Sequence, residues 1–181
     1  MRWVRPTRND GLSGHIARQF GISPVVASLL VGRGLTAHAD IEYFLNPRLQ
    51  NLSDPLLMGN MPAAVERLQA ALQRQESILI FGDYDVDGVT STVVLTQFLR
   101  QFGLTPRYVV PRRLEEGYGL GMDSLQRALA EGKPDLLIAV DCGTSSATEV
   151  AWLREQGIEV IILDHHTSKE SLPADCILSR T

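Results

Sequence analysis

The chain has 181 residues, of which 44% are hydrophobic, so it can bury one core and support a smaller appended unit. Its formal net charge of −4 argues against a strongly basic surface for nucleic acid, and no apolar run approaches the roughly 20 residues of a membrane span. The two cysteines, Cys142 and Cys176, form neither a disulfide framework nor a zinc-binding spacing. Since the start lacks a signal-peptide core, the expected location is the cytoplasm.

Residues 1–60 are predicted to form a small helical region that begins with an arginine-rich, solvated tail. Ser23 and Pro24 are typical of the N-cap and first turn of a helix. A second helix is predicted to start near Ala37 and to end at Pro47, because the residue before a proline avoids the helical conformation.

From residue 61 onward, short apolar runs alternate with segments of helical periodicity. The runs predict buried strands at 78–82, 107–110, 136–140 and 160–163, with a fifth strand beginning near Cys176. The segments between them predict helices that start at Pro62 or span 90–102, 122–131 and 147–156. This alternation favours an α/β domain over 61–181, with a mostly parallel, doubly wound sheet of about five strands and helices on both faces.

Acidic residues and histidines directly follow three of the predicted strands. They are Asp83, Asp85 and Asp87 after the first run, Asp141 after the third, and Asp164, His165 and His166 at the end of the fourth. Ligands bind beyond the carboxyl ends of parallel strands, so these side chains are expected to meet in one crevice. Carboxylates crowded together repel one another. A divalent cation would relieve that repulsion, and oxygen and imidazole ligands suit Mg²⁺ or Mn²⁺.

The first acidic segment has two simpler interpretations. Its Asp-x-Asp-x-Asp-Gly pattern also opens an EF-hand loop, but position 12 counted from Asp83 is Val94 rather than glutamate, and a strand precedes it. The acids could instead cap the following helix, which Asp87 could do by itself. One cap requires one side chain, so capping leaves the other two acids unexplained.

A turn rich in small and hydroxyl residues follows Asp141. Gly143, Thr144 and Ser145 could cradle a phosphate with their backbone N–H groups, or could only begin the next helix. Asp141 considered alone is more typical of a turn or helix cap than of a site. Cys142 is expected to be a small packing residue.

Two adjacent histidines at the end of a buried strand cannot both enter the core. We predict that His165 is a metal ligand and that His166 lies near the substrate, where it binds phosphate or donates a proton. Asp164 is then expected to orient an imidazole through a hydrogen bond.

The loop after the second strand is expected to reach the same crevice. Arg112 and Arg113 could grip phosphates, and Tyr118 could stack on a base. Alternatively, Glu115 and Glu116 pair with the arginines on a solvated loop.

Taken together and in this order, four segments resemble the DHH phosphoesterase superfamily, and within it the RecJ branch of single-stranded-DNA exonucleases. The segments are 82–91, 116–120, 140–143 and 164–166, and the likeness extends from about Leu29 to Thr181. The resemblance implies metal-dependent, 5′-to-3′ hydrolysis of single-stranded DNA in repair and recombination, with two Mn²⁺ or Mg²⁺ ions. Other functions known in the superfamily are hydrolysis of short oligonucleotides or small phosphates and a non-catalytic role as a replication scaffold.

The same resemblance implies site residues. Asp85, Asp87, Asp141 and His165 match the metal ligands, and Asp83 and His166 match positions close to the chemistry. The superfamily also has a further metal-binding aspartate and a second domain that closes over the strand, whereas only Asp175 follows the histidines here. The chain is therefore expected to be the front part of a longer enzyme, with weak or no nuclease activity alone.

Overall fold

A computed structural model describes residues 9–168 and 171–180. The arginine-rich start, predicted to be a solvated tail, lies outside the described residues. The chain divides into two compact units, one ending at Ser53 and one beginning at Asp54. Among the described residues, no helix combines the length and apolar character needed to cross a bilayer.

The first unit contains three helices, α1 (Asp10–Phe20), α2 (Pro24–Gly32) and α3 (His38–Leu45), followed by a 3-10 turn at Leu49–Asn51. Ser23 caps α2 as the sequence predicts, because its hydroxyl accepts a hydrogen bond from the Val26 N–H at 3.3 Å. The helices enclose their own small apolar core around Ile16, Leu30 and Ile41.

The second unit is built on a parallel sheet of five strands. They are β1 (Ile78–Gly82), β2 (Arg107–Val109), β3 (Leu136–Val140), β4 (Glu159–Asp164) and β5 (Ile177–Arg180), in the spatial order β2-β1-β3-β4-β5. Every neighbouring pair is parallel. The predicted α/β fold is therefore confirmed. The chain leaves β1 toward β2 on one side and returns to β3 on the other, so a crevice opens between the carboxyl ends of β1 and β3.

Four helices cover the two faces of this sheet: α4 (Met61–Arg74), α5 (Val86–Gln101), α6 (Met122–Ala130) and α7 (Ala147–Glu155). Buried residues of α6 and α7 pack with Leu79 and Phe81 on one face. Buried residues of α4 and α5 pack with Ile78 and Ile80 on the other. Successive side chains of β1 point to opposite faces of the sheet. Because helices cover both faces, the strand is apolar on both sides. A further 3-10 turn at Pro55–Leu57 precedes α4.

The connection from β1 to α5 is unusually close. A Cβ atom on Gly88 would lie 2.5 Å from the backbone N and O atoms of Asp83, and one on Gly82 would lie 2.9 Å from the carbonyl oxygen of Gly88. Only glycine lets the helix start directly against the strand end. The segment between them, with its three aspartates, is therefore pressed to the edge of the sheet.

Candidate metal centre

The three aspartates after β1 lie in different environments. Asp83 is fully buried, and its Oδ1 atom accepts a hydrogen bond from the Tyr84 N–H at 2.8 Å. Asp85 is the N-cap of α5, where its carboxylate accepts hydrogen bonds from the N–H groups of Asp87 (2.9 Å) and Gly88 (3.0 Å). The Gly88 N–H is the main reason that the pKa of Asp85 lies below its usual value.

The capping residue is therefore Asp85, whereas the sequence had suggested Asp87 for that role. Asp87 occupies the first turn of α5 with an exposed side chain. The cap lies two residues before Asp87, and α5 begins at Val86 rather than near Thr90.

Asp141 follows β3 in a strained conformation. Its φ angle of 63° lies in the left-handed region, which costs a residue other than glycine on the order of 1 kcal/mol. The side chain of Asp141 is buried, and its backbone N–H donates to the carbonyl of Leu163 in β4 at 2.8 Å. Burial raises the pKa of Asp141, and the nearby carboxylate of Asp85 raises it further. Two carboxylates therefore crowd each other at this edge of the sheet.

Asp164, at the end of β4, organises the neighbouring backbone. Its Oδ1 atom accepts hydrogen bonds from the N–H groups of His165 (2.7 Å) and His166 (3.1 Å), and from Nδ1 of His166 (2.7 Å). Its Oδ2 atom accepts from the Thr144 N–H at 3.0 Å. Burial opposes ionisation, but the hydrogen bonds from Thr144 and His166 together outweigh it and lower the pKa of Asp164 to about 2.

His166 is held at both ring nitrogens. An ionised Asp164 can only accept, so Nδ1 carries the proton, and Nε2 lies 2.8 Å from the hydroxyl oxygen of Tyr118. The hydrogen bond with Asp164 is the main cause that raises the pKa of His166. His165 is more open, with 58% of its side chain exposed, and its Nε2 atom lies 3.1 Å from Oδ1 of Asp141.

The ends of β1, β3 and β4 converge. Two groups of side chains have ligand atoms within 4.8 Å of one another, and the groups share Asp141: one is Asp83, Asp85 and Asp141, and the other is Asp141, His165 and His166. These spacings are short enough for each group to hold a cation. Among the described residues Asp87 belongs to neither group, and Asp164 is engaged by hydrogen bonds to the backbone and to His166.

The donor set fits a hard divalent cation. The Oδ2 atoms of Asp83 and Asp141 are buried and have no hydrogen-bond partner within the described part of the chain. An unpaired buried carboxylate oxygen is costly. Coordination of Mg²⁺ or Mn²⁺ would satisfy both atoms and would offset the repulsion between Asp85 and Asp141.

The loop between β2 and α6 reaches the same edge. Tyr118 contacts His166 through its hydroxyl, and its ring meets the ring of Tyr84 edge-on, with centroids 6.0 Å apart. The Arg113 guanidinium lies 5.0 Å from the centroid of the Tyr84 ring. Arg112 forms an exposed ion pair with Glu115 at 3.0 Å, which is the alternative that the sequence left open.

A cleft of about 280 Å³ lies beside His166 and includes Gly143, Thr144 and Ser145 in its lining. The Thr144 N–H already donates to Asp164, so it is not free to bind a phosphate. Its hydroxyl is also buried, and it contributes to the lowered pKa of Asp164. Cys142 packs in the core, as predicted.

Sequence reasoning missed the partner of Glu116. The Glu116 carboxylate pairs with Arg127 of α6, with Oε1 2.7 Å from Nε, rather than with an arginine of its own loop. Its Oε2 atom also accepts from the Ser124 hydroxyl at 2.9 Å. The hydrogen bond from Arg127 is the main cause that lowers the pKa of Glu116 to about 2. Ser124 and Arg127 are three apart on one helix face, a spacing that could have indicated a shared partner.

The fold and the arrangement of the site define a known class of protein. Residues 77–180 match the DHH family, N-terminal domain, and the chain therefore belongs to the DHH family. It is similar to the single-stranded-DNA-specific exonuclease RecJ of Bacillus subtilis, which is 36% identical over 173 residues, covering 96% of this chain and 22% of the relative. RecJ of Haemophilus influenzae is 42% identical over 137 residues, covering 75% of this chain and 24% of the relative.

Solved structures agree with this assignment. A crystal structure of exonuclease RecJ bound to manganese is 35% identical with a TM-score of 0.64, covering 71% of this chain and 33% of that chain. RecJ from Thermus thermophilus in complex with Mn²⁺ is 26% identical with a TM-score of 0.64, covering 94% of this chain and 23% of that chain. The chain thus spans 22% to 24% of the length of the two curated relatives described above.

Proposed function

We propose that this chain provides the metal centre of a cytoplasmic exonuclease that hydrolyses single-stranded DNA from 5′ to 3′, in DNA repair and recombination. The observation that carries the proposal is the convergence of carboxylates and histidines from three strand ends on Asp141. The similarity to RecJ exonucleases supports the substrate class. The proposed phosphoesterase domain comprises residues 61–181, and the small helical region comprises residues 1–60.

The proposed ligands are Asp85, Asp141 and His165, together with Asp87, whose exposed carboxylate belongs to neither group found among the described residues. Two Mn²⁺ or Mg²⁺ ions bound there would activate a water molecule and stabilise the attacking and leaving oxygens. Asp83 places an unpaired, buried carboxylate oxygen beside the same ligands. That oxygen is suited to accept a proton or to complete the coordination.

His166 is proposed to act on the phosphate. Because Asp164 fixes Nδ1 as a donor, Nε2 points away from the sheet end toward the Tyr118 hydroxyl and the cleft. A phosphate oxygen bound in this cleft would meet an imidazole whose raised pKa favours proton donation. Arg112, Arg113 and Tyr118 are proposed to bind the strand, and Gly143, Thr144 and Ser145 to line the place of the terminal nucleotide.

Calorimetry of Mn²⁺ binding tests the centre separately from catalysis. Asp85→Asn keeps a good N-cap for α5 but removes the charge, and His165→Ala removes the imidazole. The matched controls are Asp40→Asn and His15→Ala in the first unit. We expect about 10-fold or greater weakening in the first pair and parent-like affinity in the controls. Parent-like affinity in both Asp85→Asn and His165→Ala would refute the ligand assignment.

A degradation assay with Mn²⁺ tests the substrate class. The substrates are single strands labelled at either end, a blunt duplex, and a dinucleotide. Release of mononucleotides from the 5′ end of single strands supports the exonuclease. Cleavage confined to the dinucleotide would favour a small-phosphate esterase. If Mn²⁺ binds as expected but no substrate is cleaved, even by a longer version of the protein, the non-catalytic scaffold is the better account.

A further inference from the structure

Glu116 is the most heavily engaged side chain of the loop between β2 and α6. Its side chain is 9% exposed, and it accepts hydrogen bonds from the Arg112 N–H (2.8 Å), the Ser124 hydroxyl (2.9 Å), and Nε and Nη2 of Arg127 (2.7 and 2.8 Å). The Arg127 guanidinium binds the Glu116 carboxylate through two parallel N–H groups, which is the strong form of this ion pair. The middle of the loop is therefore fastened to α6.

Arg127 also holds the start of the loop. Its Nη2 atom donates to the carbonyl of Val110, directly after β2, at 3.3 Å. At the other end of the loop, Gly121 is the N-cap of α6, and its carbonyl accepts from the Leu125 N–H at 3.1 Å. The path between these fixed points is therefore set by the Glu116–Arg127 pair.

The fastened segment carries Tyr118 to the metal centre. Gly117 and Gly119 have φ angles of 80° and 79°, so the backbone turns on both sides of Tyr118 in a conformation that favours glycine. The Tyr118 hydroxyl then reaches Nε2 of His166 at 2.8 Å. Only Gly117 separates the anchor from the tyrosine, so a shift of Glu116 is expected to move Tyr118.

We propose that Glu116 is a positioning residue, which acts with Arg127 to place Tyr118 so that the imidazole of His166 is held in its reactive orientation. Among the described residues, the hydrogen-bond partners of Glu116 lie in the loop and α6, and the contact that connects this loop to His166 is made by Tyr118. The role rests on the proposed function, because it matters only if His166 acts in phosphodiester hydrolysis. Misplacement of a reacting group by about 1 Å can cost on the order of 100-fold in rate.

A double-mutant cycle tests the coupling. Glu116→Gln and Tyr118→Phe, alone and together, are compared by kcat/KM on a 5′-labelled single strand, in this chain or, where the chain alone is inactive, in a longer version of the protein. We expect each single variant to lose roughly 10- to 100-fold, mainly in kcat. The double variant should be no worse than the less active single variant. Losses that multiply would mean that the two residues act independently, and would overturn the proposal.

A spectroscopic test does not depend on hydrolysis. In the metal-free chain labelled with ¹⁵N-histidine and held at one pH, the Nε2 resonance of His166 reports its contact with Tyr118. We expect Glu116→Gln to shift that resonance in the same direction as Tyr118→Phe. Glu115→Gln, which breaks the exposed pair with Arg112 on the same loop, should leave it in place. A folded Glu116→Gln protein with the parent resonance would overturn the proposal.

If Glu116→Gln does not fold, Arg127→Lys replaces it, because lysine keeps the charge but cannot donate two parallel hydrogen bonds. The same shift of the His166 resonance, smaller in size, is expected, and an unchanged resonance would again overturn the proposal. The two tests separate the claims. A parent chain that shows the coupled resonances but hydrolyses nothing, in either its short or a longer form, contradicts the proposed function and leaves the positioning contact intact.

Discussion

The Nε2 atom of His165 lies 3.1 Å from the Oδ1 atom of Asp141, and this contact joins the ends of two adjacent strands. Asp141 in turn belongs to a group with Asp83 and Asp85 from a third strand. Its buried carboxylate is thus the common member of both candidate ligand groups.

Removal of the Asp141 charge should stabilise the metal-free protein. Burial and the Asp85 carboxylate raise the pKa of Asp141, so its contribution to stability is present below the unfolded pKa and is lost as the pH rises through the folded pKa. Asp141→Asn should therefore increase the free energy of unfolding at pH 7 by on the order of 0.5 kcal/mol. Asparagine also tolerates the left-handed conformation. Urea unfolding in EDTA checks this, and a less stable variant would contradict it.

Saturating Mn²⁺ should make the parent more stable than Asp141→Asn. An ion that binds only the folded state stabilises it by about 2.7 kcal/mol at 100 times its dissociation constant. We expect Mn²⁺ to raise the melting temperature of the parent and to leave that of Asp141→Asn nearly unchanged. Calorimetric melts of the parent and of Asp141→Asn, each with Mn²⁺ and with EDTA, measure these changes in melting temperature. Equal stabilisation of the two proteins would argue against Asp141 as a ligand.

The Glu116–Arg127 pair should make stability depend on acid pH. The pKa of Glu116 is lowered from 4.5 to about 2, so its contribution is fully present above pH 4.5 and is lost as the pH falls through about 2. The advantage of the parent over Glu116→Gln should be on the order of 1–3 kcal/mol at pH 7 and should shrink between pH 5 and pH 2. Urea unfolding at several pH values provides the comparison. A constant difference across that range would count against the ion pair.

Gly88→Ala should destabilise the second unit, because the added Cβ would meet the Asp83 backbone at 2.5 Å. Overpacking of this kind costs about 1–3 kcal/mol. Gly59→Ala in the same unit is the matched control, since its Cβ would meet no atom within 4 Å, and its effect should stay within about 0.5 kcal/mol. Similar unfolding free energies for the two variants would mean that the strand end and α5 can separate at little cost.

Neutralisation of Asp164 should lower the pKa of His166. The hydrogen bond from Nδ1 to Asp164 is the main cause that raises it, and Asp164→Asn keeps an acceptor oxygen but removes the charge. A proton NMR titration of the metal-free protein from pH 4 to pH 9 should show the imidazole of His166 losing its proton at lower pH than in the parent. An unchanged midpoint would exclude Asp164 as the dominant partner.

The strands and the acidic strand ends could be predicted from the sequence because each strand is a continuous apolar run that ends abruptly. Helix α1 was not predicted individually, since Gly11, Ser13 and Gly14 interrupt its apolar periodicity. Strand order depends on contacts between distant segments, so the adjacency of β1 and β3 required the structure. The Glu116–Arg127 pair was missed because the nearer arginines of the loop were the obvious partners.

The most direct test of the shared centre is anomalous diffraction from crystals of this chain soaked in Mn²⁺. The expected result is a manganese peak within bonding distance of Asp85, Asp141 and His165, with a second peak nearby at higher concentration. The same soak of Asp141→Asn crystals should give no peak at this position. A parent crystal saturated with Mn²⁺ that shows no peak at the ends of β1, β3 and β4 would contradict the account.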